Sequence, residues 1–363
     1  MQLSVIILNY NLHHFLHLCV DSVTRATSSI EAEIIVIDNA SSDRSREGIL
    51  TAFPNVIWMQ NDQNIGFAKA YNRAMDKAKG EYVCILNPDT VLAEDTLGHV
   101  LNFAKNQSNL GAVGCQLVDG RGVFLPESKR NQLSFNTALL KFFGLDYNYY
   151  NKNLTQDEVG KTSVLVGAFM LMRTDIYKSM KGFDENFFIY GEDIDFSSRL
   201  RSAGLNNYYF GQAIAIHFKG ESALKEGAYR KNFFGAMKIF YFKHFKRNWV
   251  RDIVIAIGEF LIQLFPRQTA KVLSPNYPII LVSKGAASQF DSLAVEKRQE
   301  SLDFSEDRKT YLVDMTQYSY ADVISALCSK SRLKTNQIKF IPTGARFAVG
   351  SDNTNSLGST IYF

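Results

Sequence analysis

The first ninety residues contain four apolar runs, each of which stops at a polar residue. The runs are LSVIIL, EIIVI, VIWM and YVCIL, and the residues that follow them are Asn9, Asp38, Gln60 with Asn61, and Asn87. Continuous Val, Ile and Leu, without polar alternation, is typical of parallel strands buried on both faces. Helical patterns separate the runs, so the sequence predicts a doubly wound α/β sheet with right-handed crossovers.

Several polar strand ends at one edge of this sheet predict a binding site. In open α/β sheets, ligands bind beyond the carboxyl ends of the strands, where we expect Asn9, Asp38, Asn61 and the segment Asn87-Pro88-Asp89. Asp38 could accept the ring N–H of a uracil or thymine, or it could cap the helix that begins near SSD. One polar strand end indicates little, but several at the same edge favour a site.

The same edge could hold a metal ion. Asp89 directly follows a buried strand, and Pro88 forces an extended or turning backbone there. A hard carboxylate suits the divalent cation that neutralises a nucleotide diphosphate. Alternatively, Asp89 or Thr90 caps the helix predicted around VLAEDTL. His217 ends a later strand, and its neutral imidazole could bind the same cation or serve only the structure.

The stretch FFIYGEDIDF places three acids among aromatic residues. The acids are Glu192, Asp193 and Asp195. They open a helical pattern in which Asp193 shares a face with Phe196, so Asp193 is expected to point towards packed structure. Glu192 is expected nearer to Arg199, and Asp195 nearer to the opposite side. The helix dipole favours an ionised Asp193, whereas its acidic neighbours and burial oppose ionisation. Helix capping explains one of these acids, and a general base explains Asp193 better.

Composition and charge exclude some classes of function. A formal net charge of +4 over 363 residues is no signature of nucleic-acid binding, so we expect no nucleic-acid partner. The four cysteines lie far apart without a CxxC pair, so we expect buried reduced thiols rather than disulfides or zinc ligands. The N-terminus lacks the features of a signal peptide, and the longest apolar run, 253–265, is short for a membrane span.

Residues 225–251 are basic and aromatic, with Glu226 as the single acid. Such a segment predicts either a helix on an anionic membrane surface or a solvated helix face that covers the core. The changes in character divide the chain into a first domain at 1–222, a basic amphipathic helical segment at 223–273 and a small α/β module of unknown role at 274–363. The basic residues of the segment are Lys225, Arg230, Lys231, Lys238, Lys243, Lys246, Arg247 and Arg251.

The order of several motifs resembles a known family. The motifs are SVIILNYN, EIIVIDNASSD, NIGFAKAYNRAMDKAKGEYVCILNPDT, VGAFMLMRTDIYKSMKGFDENFFIYGEDIDFSSRLRSAGL and AIAIHFKGES. In this order they resemble family 2 glycosyltransferases of the GT-A fold, especially the rhamnosyltransferase-like branch, over residues 1–245. The expected fold is therefore an α/β GT-A fold, with a doubly wound and mostly parallel sheet, followed by basic amphipathic helices and a small C-terminal α/β module.

The resemblance implies roles for individual residues. Asp193 would be the general base, and Glu192 with the GFDENFF loop would shape the acceptor site. Asp89 matches the last carboxylate of the DxD motif and would hold Mg²⁺ or Mn²⁺, and His217 matches a histidine that completes the metal site in some relatives. The residues implied to bind or flank the nucleotide-sugar donor are Asn9, Tyr10, Asp38, Gly66, Asn72, Asn87 and Asp89.

Two positions depart from the family pattern. Asn87 replaces the first carboxylate of the DxD motif, and an amide is a weaker, neutral metal ligand. Tyr71 stands where many relatives have Arg, immediately before the residue that matches Asn72. The amide of Asn87 weakens the expected binding of a metal ion. Tyr71 changes the contacts with the donor that the family pattern implies.

The resemblance also implies an inverting glycosyl transfer. Asp193 would take the proton from an acceptor hydroxyl, which attacks the anomeric carbon from the face opposite the nucleotide. The branch implies dTDP-rhamnose as donor, with UDP-sugars next, and a saccharide or polyprenyl-linked saccharide as acceptor in surface polysaccharide assembly. The protein would then lie in the cytoplasm, peripherally on the inner face of the plasma membrane.

Two other classes of function are considered. A non-catalytic sugar- or nucleotide-binding module fits the sheet edge, but the acid of the ED pair argues against it. A nucleotidyltransferase on a similar sheet would be expected to carry a glycine-rich phosphate loop near the N-terminus, and LNYNLHHF is not such a loop.

Overall fold

A computed structural model gives the architecture of the chain. In the residues that the structure describes, one nine-stranded sheet ends at residue 217, and one six-stranded sheet begins at residue 279. No helix in this part of the chain is long and apolar enough to cross a membrane. Most of the apolar run 253–265 lies outside it. The described residues are 1–142, 145–219, 226–246, 248–249, 252–253, 255, 276–285, 290–329, 335–351 and 358–363.

The elements of the first ninety residues form in the order that the apolar and helical patterns predict, whereas residues 90–92 form a strand at the start of the helix predicted around VLAEDTL. The strands are β1 (Leu3–Asn9), β2 (Ala32–Asp38), β3 (Ile57–Gln60), β4 (Tyr82–Leu86), β5 (Thr90–Leu92), β6 (Leu110–Val118), β7 (Val159–Thr162), β8 (Phe169–Arg173) and β9 (Asn206–His217). The helices are α1 (His13–Ala26), α2 (Ser45–Ala52), α3 (Phe67–Met75), α4 (Thr96–Lys105), α5 (Phe135–Phe142), α6 (Thr174–Ser179), α7 (Glu192–Ser202) and α8 (Glu226–His244).

The strand order is β3-β2-β1-β4-β8-β6-β9-β5, and β7 pairs with β9. Strands β1 to β4 pair in parallel, as their apolar runs predict. Strand β6 is parallel to β9, whereas β8, β5 and β7 introduce antiparallel pairs into the second half of the sheet. The predicted doubly wound α/β sheet is confirmed, and its carboxyl edge in the parallel half carries the polar residues singled out above.

Strand β3 differs from its prediction in one respect. Its apolar run predicts burial on both faces, but the strand has four residues and Ile57 is 37% exposed. The reason is that β3 lies at the end of the sheet and pairs with β2 alone. This does not move the site, because Gln60 still ends the strand directly opposite Asp38.

Helix α8 docks on helix α7 through one buried carboxylate. Asp195 is fully buried, and its Oδ1 lies 2.8 Å from Lys243 Nζ and 2.7 Å from His244 Nε2. Arg199 Nε donates to Asp195 Oδ2 at 2.8 Å. Burial opposes ionisation, but hydrogen bonds from His244 and Lys243 and the charge of Arg199 lower the pKa of Asp195 to about 2. The expectation that Arg199 lies nearer to Glu192 is wrong, because the i, i+4 spacing places it on Asp195.

This docking bears on the basic, aromatic segment. Lys243 also pairs with Asp184 at 2.5 Å, so Lys243 and His244 both reach acids of the first domain. Lys238 and Lys246 are exposed. One face of α8 therefore covers the first domain, as the alternative of a helix that covers the core predicts. The alternative of a membrane-bound helix now applies to the opposite face of α8. The side chains at positions 225, 230, 231, 247 and 251 lie outside the described residues.

The C-terminal module is a small α/β unit, as its sequence predicts. Its sheet has the order β11-β10-β12-β13-β14-β15. The first four of these strands are parallel, and β14 and β15 are antiparallel additions. The elements are β10 (Ile279–Val282), β11 (Lys297–Gln299), β12 (Thr310–Asp314), α9 (Tyr320–Ser329), β13 (Gln337–Ile341), β14 (Phe347–Gly350) and β15 (Ser359–Tyr362).

The cysteines are free thiols, as their spacing predicts. Cys19, Cys84 and Cys115 are buried in the first domain, and Cys328 is partly exposed at the end of α9. Burial raises the pKa of Cys19 to about 12, which suits a small apolar core residue rather than a reactive thiolate.

Replacement of Asp195 tests the contact between α7 and α8. Breaking a fully buried ion pair lowers the free energy of unfolding by about 3–5 kcal/mol. The Asp195→Asn variant should lose somewhat less than this. The loss is reduced because Lys243 and His244 are partly exposed. Urea denaturation measures it.

The matched control for this variant is Asp175→Asn, which breaks an exposed pair with Arg173 at 2.8 Å. The control should cost about 0–1 kcal/mol, because exposed ion pairs contribute little. Equal losses in the two variants would show that Asp195 does not hold α8 in place.

Candidate active site

Asp38 is the centre of a hydrogen-bond network at the carboxyl edge of the sheet. Its side chain is buried, and Asn9 Nδ2 donates to its Oδ1 at 2.7 Å. Gln60 Nε2 donates to its Oδ2 at 2.7 Å, as does the backbone N–H of Ser41. The Ser41 hydroxyl donates to Oδ1 at 2.5 Å. The ends of β1, β2 and β3 therefore meet, and protein donors already occupy all four acceptor positions of Asp38.

Asn9 keeps one polar atom without a partner. Its Nδ2 donates to Asp38, but no described residue donates a hydrogen bond to its buried Oδ1. Tyr10 follows it and is 39% exposed at the same edge. The loop after β1 is tied to the loop after β2, because Asn11 Oδ1 accepts the backbone N–H of Ser42 at 2.7 Å. A buried acceptor and an exposed ring thus lie next to each other at the strand end.

Gly66 lies where the loop before α3 meets the loop before α7. It has a φ of +86°, and a Cβ there would lie 2.6 Å from the carbonyl oxygen of Phe188. The N–H of Phe67 donates to that same carbonyl at 2.6 Å. Only glycine accommodates both the backbone conformation and the close approach.

Asn72 holds the GFDENFF loop. Its Nδ2 donates to Phe183 O at 2.9 Å and to Glu185 Oε1 at 3.1 Å. Its Oδ1 accepts from the Tyr177 hydroxyl at 2.6 Å and from the N–H of Phe183 at 3.0 Å. The preceding Tyr71 is buried in the core. The hydrogen bonds of Asn72 therefore position the loop at residues 183–185.

Asp89 and His217 face each other where β5 pairs with β9. His217 Nε2 lies 3.5 Å from Asp89 Oδ1 and 3.4 Å from Asn87 Nδ2. The backbones fix this arrangement, because Thr90 pairs with His217 and the N–H of Phe218 donates to Asp89 O at 3.0 Å. The structure therefore brings together the three residues that the sequence associates with a metal ion.

The donor set at this position fits a divalent cation. Asp89 is 2% exposed, and its Oδ1 is buried without a hydrogen-bond partner. A buried carboxylate oxygen without a donor is costly unless a ligand completes it. No group of three or more His, Cys, Asp or Glu side chains in the described part of the chain could hold a metal. Asp89 and His217 thus offer part of a coordination shell, which Mg²⁺ commonly completes with phosphate oxygens and water.

Asp193 is buried at the start of α7 and paired with an arginine. Arg130 donates to Asp193 Oδ2 at 2.6 Å, and the N–H of Gly167 donates to the same oxygen at 3.2 Å. The N–H of Ile194 donates to Oδ1 at 2.8 Å. Asp193 therefore points into packed structure, as its helical face predicts. Its Oδ1 keeps a lone pair, because a carboxylate oxygen accepts two hydrogen bonds.

Sequence reasoning missed Arg130. It lies in the irregular stretch before α5, within ESKRNQ, where no periodic pattern or motif distinguishes it from neighbouring cations. It also donates to Leu165 O at 2.8 Å, and its side chain is 9% exposed. A cation must accompany a buried ionised Asp193, but the sequence does not indicate which one of forty would do so.

Glu192 is buried beside Asp193, and none of the described residues forms an ion pair with it. Burial raises the pKa of Glu192 to about 8, and the neighbouring Asp193 charge acts in the same direction. Its Oε2 has no hydrogen-bond partner. At neutral pH the pair therefore consists of a protonated Glu192, which can donate a hydrogen bond, and an Asp193 that Arg130 compensates.

The sequence is similar to those of known glycosyltransferases. Residues 4–180 match the model of Glycosyl transferase family 2. The chain is 24% identical over 243 residues to the N-acetylglucosaminyl-diphospho-decaprenol L-rhamnosyltransferase of Mycobacterium tuberculosis, covering 62% of this chain and 79% of that protein. It is 26% identical over 161 residues to rhamnosyltransferase WbbL of Escherichia coli K12, covering 44% and 59%.

Solved structures show a more distant similarity. Mannosyltransferase PcManGT from Pyrobaculum calidifontis, in complex with GDP-Man and Mn²⁺, has a TM-score of 0.46 and 14% identity over 73% of this chain and 81% of that chain. A fragment of S. aureus TarS in complex with UDP-GlcNAc also has a TM-score of 0.46, with 20% identity over 72% of each chain. The family match covers just under half of the chain: residues 4–180 match Glycosyl transferase family 2, on the doubly wound α/β sheet that the sequence predicts, and the protein is a glycosyltransferase.

Proposed function

We propose that this protein is an inverting glycosyltransferase that moves a sugar from a nucleotide diphosphate to a hydroxyl of a saccharide or lipid-linked saccharide. The observation that supports this most is the pair at the start of α7. Two buried carboxyl groups lie side by side there: Asp193 accepts a hydrogen bond from Arg130, and burial raises the pKa of Glu192. A single displacement needs one base and no protein nucleophile, which this pair can supply.

Asp193 is proposed as the base. Arg130 and the N–H of Gly167 fix its Oδ2, so Oδ1 is the oxygen left to accept the proton of the acceptor hydroxyl. As that proton leaves, the hydroxyl oxygen attacks the anomeric carbon from the face opposite the leaving nucleotide. Glu192 is proposed to bind the acceptor, because its protonated carboxyl can donate a hydrogen bond to a second hydroxyl.

The donor is proposed to lie along the carboxyl edge between β1 and β4. Asn9 Oδ1, which has no partner, can accept the ring N–H of uracil or thymine, and Tyr10 can flank the nucleoside. Asp38 then acts by orienting Asn9, because its own acceptor positions are filled. Gly66 and Asn72 shape the donor side through the loop that they hold, and Asn87 reaches the diphosphate end.

Asp89 and His217 are proposed to hold Mg²⁺ or Mn²⁺, with Asn87 as a weaker neighbour. When bound, such a cation supplies positive charge against the diphosphate. Asp89 Oδ1 has no hydrogen-bond partner among the described residues and lies 3.5 Å from His217 Nε2, which supports this assignment. The pairing of Thr90 with His217 places the backbones of both residues next to each other.

The sugar is proposed to be rhamnose, carried by dTDP, with UDP-sugars as the next candidates. Two relatives that match this chain are named rhamnosyltransferases, and the name of the mycobacterial one gives N-acetylglucosaminyl-diphospho-decaprenol as the acceptor of that protein. By this similarity we propose a polyprenyl-linked saccharide acceptor and a role in cell-surface polysaccharide synthesis.

A peripheral position on the cytoplasmic membrane surface is proposed with this acceptor, because a lipid-linked sugar lies at that surface. The exposed Lys238 and Lys246 on and after α8 can face anionic lipid, while Lys243 and His244 hold the helix to the domain.

A donor panel tests the activity and the base together. The wild-type protein should hydrolyse or transfer from one nucleotide-sugar, with dTDP-rhamnose first, and Mn²⁺ or Mg²⁺ should increase the rate. The Asp193→Asn variant should bind the same donor and lose about 10²–10⁴-fold in transfer, because a general base contributes about that much.

The control for the panel is Asp322→Asn, an exposed acid in α9 that should leave the rate unchanged. Transfer by Asp193→Asn at a near wild-type rate would exclude this residue as the base. Binding of nucleotide-sugars without any turnover would instead favour a non-catalytic module, and release of pyrophosphate from a nucleoside triphosphate would favour a nucleotidyltransferase.

The pH dependence of transfer tests Glu192. Its raised pKa of about 8 keeps it protonated below that pH, and its ionisation above pH 8 removes the donated hydrogen bond and adds charge beside Asp193. The acceptor kcat/KM of the wild type should therefore fall as the pH rises through 8. Glu192→Gln keeps a neutral donor at every pH, so its profile should stay flat there, whereas the exposed Glu47→Gln should behave as wild type. A fall in Glu192→Gln equal to that of the wild type would count against this role.

Vesicle sedimentation tests the membrane proposal. The protein should sediment with anionic phospholipid vesicles at low salt and be released at high salt. A lysine near such a surface contributes about 1 kcal/mol, so the double variant Lys238→Gln, Lys246→Gln should bind roughly thirtyfold more weakly. Lys69→Gln with Lys105→Gln is the control, since both are exposed on other helices. Equal weakening by the two pairs would refute a specific lipid-facing side of α8.

A further inference from the structure

One hydrophobic cluster extends from the first domain into the C-terminal module. From the first domain it contains Val91 on β5 and Ile216 on β9, which are partners in the sheet, and Phe218 directly after β9. From the module it contains Val313 on β12 and Phe340 on β13. All of these side chains are buried. The module therefore shares its core with the strand pair that carries the proposed metal ligands.

Phe218 is the contact nearest to that site. It is 1% exposed, and its ring lies between Phe15 of α1, at 5.1 Å between centroids, and Phe340 of the module, at 6.1 Å. Gly120 allows this packing, because a Cβ there would come within 3.1 Å of the Phe218 ring. The module thus supplies one wall of the pocket that holds Phe218.

Alternation along β9 relates this packing to the metal ligands. Successive side chains of a strand point to opposite faces, so Ile216 and Phe218 share one face and His217 points to the other. The face of Ile216 and Phe218 meets the module, whereas His217 meets Asp89. The N–H of Phe218 also donates to Asp89 O, so the strand end and the Asp89 backbone move together. The module consequently packs behind the two ligands.

We propose that the C-terminal module is a positioning element for the metal site, acting through Phe340 and Phe218 on His217 and Asp89. This inference rests on the metal site of the proposed function. A metal ligand binds well only when its orientation is fixed by the residues behind it. Here the fixing contact is apolar packing from a second sheet.

The carboxyl edge of the module's own sheet favours a positioning role for the module rather than a ligand-binding role of its own. Ligands of open α/β sheets bind at the carboxyl ends of the strands. In the module this edge is covered by α1: Arg25 donates to Met315 O at 2.6 Å and to Thr343 Oγ1 at 2.7 Å. The Tyr320 hydroxyl donates to Asp21 of the same helix at 2.5 Å. The edge is thus used for attachment to the first domain.

Two phenylalanines of the module provide a matched pair for the test. Phe340 and Phe290 are both fully buried, but Phe290 belongs to a separate cluster with Leu281 and Leu312. Phe340→Leu and Phe290→Leu remove the same volume from the same module. Both should lower the melting temperature of the full-length protein, but only Phe340→Leu relaxes the support of Phe218.

Mn²⁺ binding in the presence of UDP, followed by the electron paramagnetic resonance of free Mn²⁺, is the readout. Phe340→Leu should raise the Mn²⁺ dissociation constant about tenfold, the lower end of what loss of supporting contacts costs, and Phe290→Leu should leave it within about twofold. Phe218→Leu removes the same contact from the side of the first domain and should raise the Mn²⁺ dissociation constant similarly. It replaces Phe340→Leu in the test if that variant does not fold. Equal dissociation constants for the Phe340 and Phe290 variants would overturn the proposal.

The Asp89→Asn variant separates this inference from the function on which it rests. If Asp89→Asn loses Mn²⁺ binding while Phe340→Leu and Phe218→Leu bind Mn²⁺ as the wild type does, the positioning role is wrong. The assignment of the metal site is then retained. A wild-type protein that binds no Mn²⁺ with UDP overturns the metal site and the positioning role together, while sugar transfer in the donor panel remains a separate result.

Discussion

An ionised carboxylate inside a protein needs a cation or several hydrogen-bond donors close to it, and this requirement organises the acceptor half of the molecule. An uncompensated buried charge costs several kcal/mol. Asp193 meets the requirement by attracting Arg130 from an irregular stretch 63 residues earlier in the chain. Asp195, two positions later on the same helix, meets it with Arg199 and with Lys243 and His244 of α8. Helix α7 is therefore the place at which distant segments are attached, and the surroundings of the proposed base follow from that.

The parallel half of the sheet was predictable because its signal is local. Each of the strands β1 to β4 is a single apolar run, and residues buried on both faces need no knowledge of their partners to be recognised. The exposure of Ile57 was not predictable, since it depends on which strand ends the sheet. The antiparallel insertion of β8 between β4 and β6 was not predictable either, because strand order is decided by contacts between residues far apart in sequence. The same reason hid Arg130 and the contact of His244 with Asp195.

Within the site, the sequence indicated where polar residues lie but not which of their lone pairs remain available. Asp38 ends its strand as expected, yet Asn9, Ser41 and Gln60 occupy its acceptor positions. Asn72 lies beside the predicted loop, and its hydrogen bonds are made to that loop. Among the described residues, the donor side of the site keeps two buried acceptors without a partner, Asn9 Oδ1 and Asp89 Oδ1. Counting the hydrogen bonds of these residues therefore identifies two specific atoms at this edge to which a ligand can bind.

The three acids of FFIYGEDIDF are distinguished by their partners rather than by their positions on the helix. Asp195 is paired with Arg199 and Lys243 and hydrogen-bonded to His244, which lower its pKa, so its role is structural. Asp193 has one cation on one oxygen, which compensates its charge and leaves the other oxygen able to accept a proton. Glu192 has no ion-pair partner among the described residues, and burial beside Asp193 raises its pKa and favours its protonated form. Two adjacent buried carboxylates cannot both be ionised cheaply. Because Arg130 lies on the Asp193 side, it decides which of the two is the acceptor of a proton and which is the donor of a hydrogen bond.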